Sequence, residues 1–135
     1  MDFIIKKEHL NDKNEYVGDV DLSDFNGNII SDENLGFVKL KSIKVSGFIL
    51  FKAGSGIEAG EGIKAGGGIE AGGGIEAGEG IEAGLSISAQ IISTPLRIFA
   101  GLCLWRNPTG DEIKVRAKRI CGGGVIAFGN FEKIE

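Results

Sequence analysis

Residues 56–84 read GIEAGEGIKAGGGIEAGGGIEAGEGIEAG, a pattern that returns every six residues and extends, less strictly, from Phe51 to Ile92. Each unit begins with one large apolar residue, and its third position is alanine, from Ala53 to Ala89. The apolar positions are Phe51, Ile57, Ile63, Ile69, Ile75, Ile81 and Ile87. A six-residue repeat with one apolar residue per unit is typical of a β-solenoid, whose backbone winds in coils that stack on one another.

The second residue of each unit is expected to face away from its two neighbours, because side chains alternate along an extended strand. This position holds Lys52, Glu58, Lys64, Glu70, Glu76, Glu82 and Ser88. The fourth and sixth positions are mostly glycine, which permits a sharp turn after a very short strand. The sequence therefore predicts an apolar interior, a charged exterior and one corner per unit.

Two other structures for a glycine-rich stretch are disfavoured by the same pattern. A flexible linker gives no reason for a large apolar residue at every sixth position, since disordered segments lack periodic apolar residues. A membrane helix would carry six glutamates and two lysines into hydrocarbon, where each charge is costly. A six-residue period also drifts around a helix of 3.6 residues per turn.

The repeats resemble the hexapeptide-repeat, left-handed parallel β-helix family, in which three units form each three-sided coil. That family places its small residue two positions before the aliphatic one, whereas alanine here follows isoleucine by two positions. The Gly-Ile-Glu-Ala-Gly runs of this chain also resemble runs in uncharacterised proteins of phages and gut bacteria. The resemblance implies that residue i lies beneath residue i+18. Ile57 would then stack on Ile75, Glu58 on Glu76, Glu61 on Glu79, and Lys64 on Glu82.

The flanking segments predict further β-structure. Short apolar runs between Leu22 and Val45 alternate with Asp, Asn and Gly, as in strands joined by turns or in irregular coils. A short strand over Phe3 to Ile5 and a polar loop precede them. A solenoid needs such caps, because its two ends expose unpaired backbone groups.

After the repeats, Leu96 to Trp105 reads as a long apolar strand, followed by a turn over residues 106–111. Ile113 to Ile120 would return as a strand, and Val125 to Phe128 would be the last strand of a small closing sheet. The fold class predicted is all-β: a short, parallel β-helix-like solenoid of six-residue repeats, capped at both ends. We expect one domain, with an N-terminal β cap over 1–50, the solenoid over 51–92 and the C-terminal cap over 93–135.

Charge changes sign along the chain. Residues 1–50 carry 6 basic and 9 acidic side chains, residues 51–92 carry 2 and 6, and residues 93–135 carry 7 and 4. The charged start of the sequence leads us to expect no secretory leader, and no apolar run approaches membrane length. Cys103 and Cys121 lack a CxxC spacing, so we expect free thiols used for packing and a cytoplasmic location.

The best candidate site is the acidic exterior, because stacked like charges reduce stability and their presence indicates a use outside the fold. Its residues are Glu58, Glu61, Glu70, Glu76, Glu79 and Glu82. They predict a non-enzymatic module that binds a protein partner with a basic surface, much as pentapeptide-repeat solenoids imitate DNA. Such a module could serve a phage or mobile element as an inhibitor of a bacterial defence or nucleic-acid-handling protein.

A second candidate is the basic strand near the C-terminus, formed by Lys114, Arg116, Lys118 and Arg119. It would contact an anion, a partner or the acidic repeats of a neighbouring copy. Such a pattern more often indicates an ordinary strand whose charged face is exposed to solvent. Direct nucleic-acid binding is disfavoured by the net charge of −4 and by the lack of aromatic residues beside this strand.

Two alternative functions remain open at this point. One is an oligomeric scaffold that packs through solenoid faces or ends. The other is a hexapeptide-type acyltransferase, which would need a histidine general base, and the only histidine, His9, lies outside the repeats. One histidine does not supply a three-histidine zinc site, and the turns lack the Asp of calcium-binding rolls, so we expect no metal and no cofactor.

Overall fold

A computed structural model describes residues 2–52, 54–103 and 106–134, so Ala53 and Trp105 of the patterns above lie outside the described residues. The described chain forms short strands and two 3₁₀ turns, at Lys7–His9 and Gly110–Ile113. The strands in chain order are β1 (Asp2–Ile4), β2 (Asn28–Ser31), β3 (Phe37–Leu40), β4 (Ile43–Val45), β5 (Ile49–Phe51), β6 (Gly56–Ala59), β7 (Ile63–Ala65), β8 (Ile69–Ala71), β9 (Ile75–Ala77), β10 (Ile81–Ala83), β11 (Ile87–Ser88), β12 (Ile91–Ser93), β13 (Arg97–Ala100), β14 (Lys114–Ala117), β15 (Arg119–Cys121), β16 (Val125–Phe128) and β17 (Asn130–Lys133).

These strands stack into three sheets that form the sides of a solenoid of about five turns, which confirms the predicted fold class. Sheet I is seven-stranded, in the order β1-β2-β5-β8-β11-β14-β17. Sheet II has the order β4-β7-β10-β13-β16, and sheet III has the order β3-β6-β9-β12-β15. Neighbouring strands within each sheet run parallel, as successive coils of one winding must.

The register confirms three repeat units per coil. Ile57 pairs with Ile75, a spacing of 18 residues, and the pairs Ile63 with Ile81 and Ile69 with Ile87 repeat it. Outside the repeats the spacing varies, since Ile98 pairs with Ile126, 28 residues away. The six-residue sequence repeat is therefore confined to the middle coils. The outer coils follow the same solenoid path without this repeat.

The core is a stack of inward apolar side chains. The isoleucines that open the repeat units are at most 1% exposed, from Ile57 to Ile87, and the alanines two positions later are also buried. The stack continues beyond the repeats through Ile29 near one end and Val115 near the other. Burying each such side chain contributes roughly 1.5–3 kcal/mol, which explains why strands of only three residues hold together.

The N-terminal segment forms an irregular first coil and a plug. The backbone of Glu15 forms an isolated parallel β-bridge with Lys39 at the edge of sheet III. Phe25 forms another with Val45 at the edge of sheet II. The rings of Phe3, His9, Tyr16 and Phe25 pack together, with the Phe3 centroid 5.3 to 6.2 Å from the other three. This aromatic plug covers the open end of the apolar stack.

The C-terminal third differs from the predicted small closing sheet, because its strands join the three sheets of the solenoid. Within the predicted strand over residues 96–105, β13 covers Arg97–Ala100, and the described residues 101–103 and 106–113 then lie outside the three sheets, at the corner between sheets II and I. The predicted returning strand is divided between β14 in sheet I and β15 in sheet III. Each strand of this region still places an apolar residue in an inward row and adds in parallel to the preceding coil, and burial decreases from β13 and β14 to the last strands.

Candidate protein-interaction surface

The structure divides the six predicted glutamates among three sides of the solenoid. Glu58 and Glu76 project from sheet III, Glu70 from sheet I and Glu82 from sheet II. Glu61 and Glu79 lie at the corner where the chain passes from sheet III to sheet II. Four carboxylates are therefore brought together, on sheet III and its corner. We call Glu58, Glu61, Glu76 and Glu79 the acidic patch.

Within this patch, Glu58 and Glu76 are direct neighbours on adjacent strands, as the 18-residue stacking predicts. The pKa of the Glu76 carboxyl is raised above its usual value. Burial of the carboxyl is the largest cause, followed by its hydrogen bond with the Glu58 side chain and the negative charge of that group. The two carboxyls are thus close enough for the ionisation of one to oppose that of the other.

The corner half of the patch is held by backbone contacts. The Glu79 N–H donates to the Glu61 carbonyl at 3.2 Å, and the Glu61 N–H donates to the Lys41 carbonyl at 2.7 Å. The Thr94 hydroxyl, which is buried, donates to the Glu79 carbonyl at 2.5 Å from the next coil. The two corner glutamates therefore stand on a fixed backbone while their side chains remain exposed at the surface.

Few cations neutralise these carboxylates. Lys64 lies beside Glu82, with the Nζ and Oε2 atoms 3.4 Å apart, and this pairing was predicted from the repeat. Among the described residues, the ion pairs do not include any member of the acidic patch. Lys39 occupies the position equivalent to Glu58 one coil earlier, so a basic rung bounds the patch on its N-terminal side.

The basic strand is less free than the sequence pattern implies. Arg116 Nε lies 2.7 Å from Glu132 Oε2, and Lys114 Nζ lies 3.1 Å from Asp111 Oδ1 and 3.5 Å from Glu132 Oε1. The hydrogen bond from Arg116 is the largest of the effects that lower the pKa of Glu132. Lys114 and Arg116 thus serve mainly to join the last two strands of sheet I.

The other two cations of the basic strand point elsewhere. Lys118 is exposed at the corner between sheets I and III, and Arg119 begins β15 on sheet III. Arg119 Nε donates to the Sγ of Cys121 at 3.3 Å. Both cysteines are free and partly buried. The four cations therefore do not form one continuous basic face.

His9 belongs to the aromatic plug. Its Nδ1 accepts a hydrogen bond from the Lys6 N–H at 2.9 Å, and its ring lies 5.3 Å from Phe3 and 6.3 Å from Tyr16, between centroids. In the part of the chain that the structure describes, no three His, Cys, Asp or Glu side chains are placed to hold a metal ion.

Comparison with known proteins yields no match among protein-family models, curated proteins or solved structures. The described residues contain no helix with the length and apolar character needed to span a membrane.

Sequence reasoning missed Glu132 as the partner of the basic strand and the aromatic plug as the setting of His9. The signal for the plug was weak, because its aromatic residues follow no period. The division of the glutamates among faces, in contrast, was available in the repeat: residues six or twelve apart lie on different sides of a three-sided coil, and only residues 18 apart share one.

Proposed function

We propose that the chain is a non-enzymatic interaction module whose acidic patch binds a basic surface of another protein. The observation that supports this is the stacking of Glu58 on Glu76 and of Glu61 on Glu79, with no ion pair to any described cation. Like charges on neighbouring strands oppose each other, so the fold alone gains nothing from the arrangement. An arriving lysine or arginine would relieve that repulsion.

The raised pKa of Glu76 gives the proposal a pH signature. A bound cation favours the ionised carboxylate, so binding would release a proton wherever Glu76 is still partly protonated. Affinity should therefore fall as the pH drops through the raised pKa of Glu76. A partner that bound through apolar contacts alone would show no such dependence.

The charge density of the patch favours a partner that normally handles nucleic acid. Two carboxylates per coil, at a strand spacing of about 4.8 Å, give one charge per roughly 2.4 Å. Duplex DNA carries one per roughly 1.7 Å of axis, and a single strand one per roughly 3.4 Å. The patch covers only two coils, so it matches a compact basic site rather than a long groove. A phage or mobile-element inhibitor of a bacterial defence or DNA-handling protein is a role that would use such a site.

The test compares two variants of equal net charge. In the patch variant, Glu58, Glu61, Glu76 and Glu79 become Gln; in the control variant, Glu8, Glu33, Glu70 and Glu82 become Gln. Circular dichroism verifies that both retain the fold. Each immobilised protein is then exposed to bacterial lysate at low salt and eluted with a salt gradient, with mass spectrometry identifying the retained proteins.

We expect the wild-type chain and the control variant to retain the same basic protein, and the patch variant to lose it. Calorimetry with the purified partner should then show competition by duplex DNA and weaker binding at lower pH. Equal retention by both variants would contradict the assignment to the patch. A wild-type chain that retains no protein at low salt would contradict the function.

The acyltransferase alternative gains no supporting observation. Such an enzyme needs a histidine positioned as a general base, and the ring of His9 is packed against Phe3 and Tyr16. The other alternative, an oligomeric scaffold, would use a different part of the molecule, namely the two ends of the solenoid.

A further inference from the structure

The C-terminal end of the solenoid is an open coil. The last strands, β15, β16 and β17, are the terminal members of sheets III, II and I, and no described strand pairs with their outer edges. Each edge therefore offers backbone N–H and C=O groups to a further strand. We call the surface formed by these three edges the C-terminal end.

Apolar side chains are exposed at this same end. Phe131 occupies the inward row of sheet I, in register with Val115, yet it is 45% exposed whereas Val115 is completely buried. Phe128 and Val125, which the register places in the outward rows of β16 opposite Phe99 and Arg97, are 48% and 58% exposed, whereas the inward Ile126 is partly buried. The apolar stack thus stops without a plug, unlike its N-terminal counterpart.

The opposite end of sheet I also has a terminal strand. Beyond β1 no described strand adds to the sheet, and Ile4 in this strand is 37% exposed. The inward neighbour Phe3 forms part of the aromatic plug and is only partly buried. A partner strand placed beside β1 would therefore extend sheet I and cover apolar surface.

The two ends carry opposite charge. Residues 2–27, which form the first coil, contain 3 basic and 7 acidic side chains, a net charge of −4. Residues 114–134, which form the last strands, contain 5 basic and 1 acidic side chains. Lys114 and Arg116 are paired with Asp111 and Glu132, so the cations left exposed without an ion pair to a described residue are Lys118, Arg119 and Lys133. Opposite charges of this size attract two surfaces and orient them before contact.

We propose that the C-terminal end of one molecule docks on the N-terminal end of a second copy, with β17 placed beside β1 so that sheet I continues in parallel. Lys133 favours this occupant over an uncharged apolar strand. It lies in register with the buried Ala117, in an inward row, but is exposed at the end of the stack, so a copy docked there would cover its ammonium group and would have to supply a carboxylate. The first coil supplies several.

Head-to-tail docking has a specific consequence for assembly. The interface joins two different surfaces, so each added copy leaves one free end of each kind. The product is an open, growing row of molecules rather than a closed dimer. Because the contact is electrostatic in part, its strength should fall as salt is added.

The test uses two charge-reversed variants of the full chain. The first, K118E/R119E/K133E, reverses the exposed cations of the C-terminal end. The second, E8K/D12K/D24K, reverses exposed carboxylates of the first coil. R119E alone provides a milder version of the first, and circular dichroism verifies folding. Analytical ultracentrifugation at low and high salt then measures mass as a function of protein concentration.

We expect the wild-type protein to grow in mass with concentration at low salt. Each variant alone should associate at least about tenfold more weakly, because like charges then meet at the interface. An equimolar mixture of the two should associate again, since every C-terminal end then finds an N-terminal end of opposite charge. The acidic-patch variant, in which Glu58, Glu61, Glu76 and Glu79 become Gln, should associate like the wild type.

Three outcomes would overturn the proposal. A wild-type protein that stays monomeric at low salt and high concentration shows that the ends do not meet. Undiminished association of E8K/D12K/D24K shows that the carboxylates of the first coil do not form the contact. Failure of the mixture to associate shows that the charges do not pair. None of these results affects the proposed function, which depends on a different surface.

Discussion

The middle coils and the outer coils are built on the same three sheets from very different sequences. Between residues 56 and 84 every corner has nearly the same sequence, whereas the coils on either side contain serines, asparagines, a threonine and an excursion that includes the described residues 101–103 and 106–113. Yet Ile29, Ile98 and Val115 are as deeply buried as the isoleucines of the repeats. The winding therefore depends on one inward apolar residue per strand, and the corners can vary.

Glycine is required where middle corners stack closely. A Cβ atom at Gly84 would lie 1.9 Å from the carbonyl oxygen of Gly66 in the coil before it, and a Cβ at Gly66 would lie 2.2 Å from the Ser46 oxygen. Both distances are far inside van der Waals contact. At Gly110, in the excursion, a Cβ would meet nothing within 4 Å. Glycine at positions 66 and 84 therefore meets a steric requirement that is absent at Gly110.

The largest expected effect separates the buried middle from the open C-terminal end. Ile75→Ala removes a completely buried side chain and should lower the free energy of unfolding by about 2–5 kcal/mol. Ile126→Ala makes the same change in β16, where the residue is only partly buried, and should cost clearly less. Chemical denaturation measures both. Equal losses would show that the last coil is as well packed as the middle.

The second-largest expected effect concerns the need for glycine at the corners. Gly84→Ala should destabilise the protein by about 1–3 kcal/mol, because the backbone of the preceding coil must shift to make room. Gly110→Ala is the matched control and should be neutral or slightly stabilising, since it restricts the unfolded chain without a clash. Thermal unfolding distinguishes them. A neutral Gly84→Ala would mean that the tight corners are not what selects glycine.

A smaller effect concerns the charges on the middle coils. The folded protein raises the pKa of Glu76, so this carboxyl favours folding most below its ordinary pKa and loses that contribution as the pH rises through the raised value. Glu76→Gln should therefore stabilise the fold at neutral pH but not in acid. The gain should be on the order of a few tenths of a kcal/mol, because solvent screens an exposed carboxyl.

Glu70→Gln is the matched control for this measurement, because its row neighbours Leu50 and Ser88 are uncharged. It should leave the melting temperature unchanged across the same pH range. If both variants gained stability equally, the cause would be the net charge of the molecule rather than the stacking on Glu58.

The smallest effect lies in the excursion. The two terminal nitrogens of Arg106, Nη1 and Nη2, each donate to one oxygen of the Glu112 carboxylate at 2.6 Å. This hydrogen bonding is the main reason why the pKa of Glu112 falls to about 2. A lowered folded pKa means that the contribution is present above the ordinary pKa and is lost as the pH falls toward 2.

Glu112→Gln should therefore speed amide hydrogen exchange within residues 106–113 at neutral pH and leave global stability nearly unchanged. An unchanged exchange rate would show that the excursion is held by its other contacts. A large loss of global stability would show that the excursion supports the coils, and would contradict the view that the corners vary freely.

The repeat predicted the middle coils down to individual neighbours, because a period of six and three units per coil leaves one possible register. Its inward and outward positions, and the contacts of Glu58 with Glu76 and Lys64 with Glu82, are confirmed. The prediction that the C-terminal strands form a small sheet of their own is wrong, because an apolar run followed by a turn is common to a returning strand and to a strand that leads into an excursion. The aromatic plug was not predictable, because its residues come from distant, aperiodic positions.

The constant spacing between neighbouring strands has a consequence for how the chain folds. Every rung of the middle coils closes a loop of 18 residues, so each new coil loses about the same chain entropy as the one before. The 28-residue step across the excursion adds only about 0.4 kcal/mol, because closure entropy grows with the logarithm of loop length. We therefore expect folding to nucleate in the repeats and to spread toward both termini, with the insertion causing little delay.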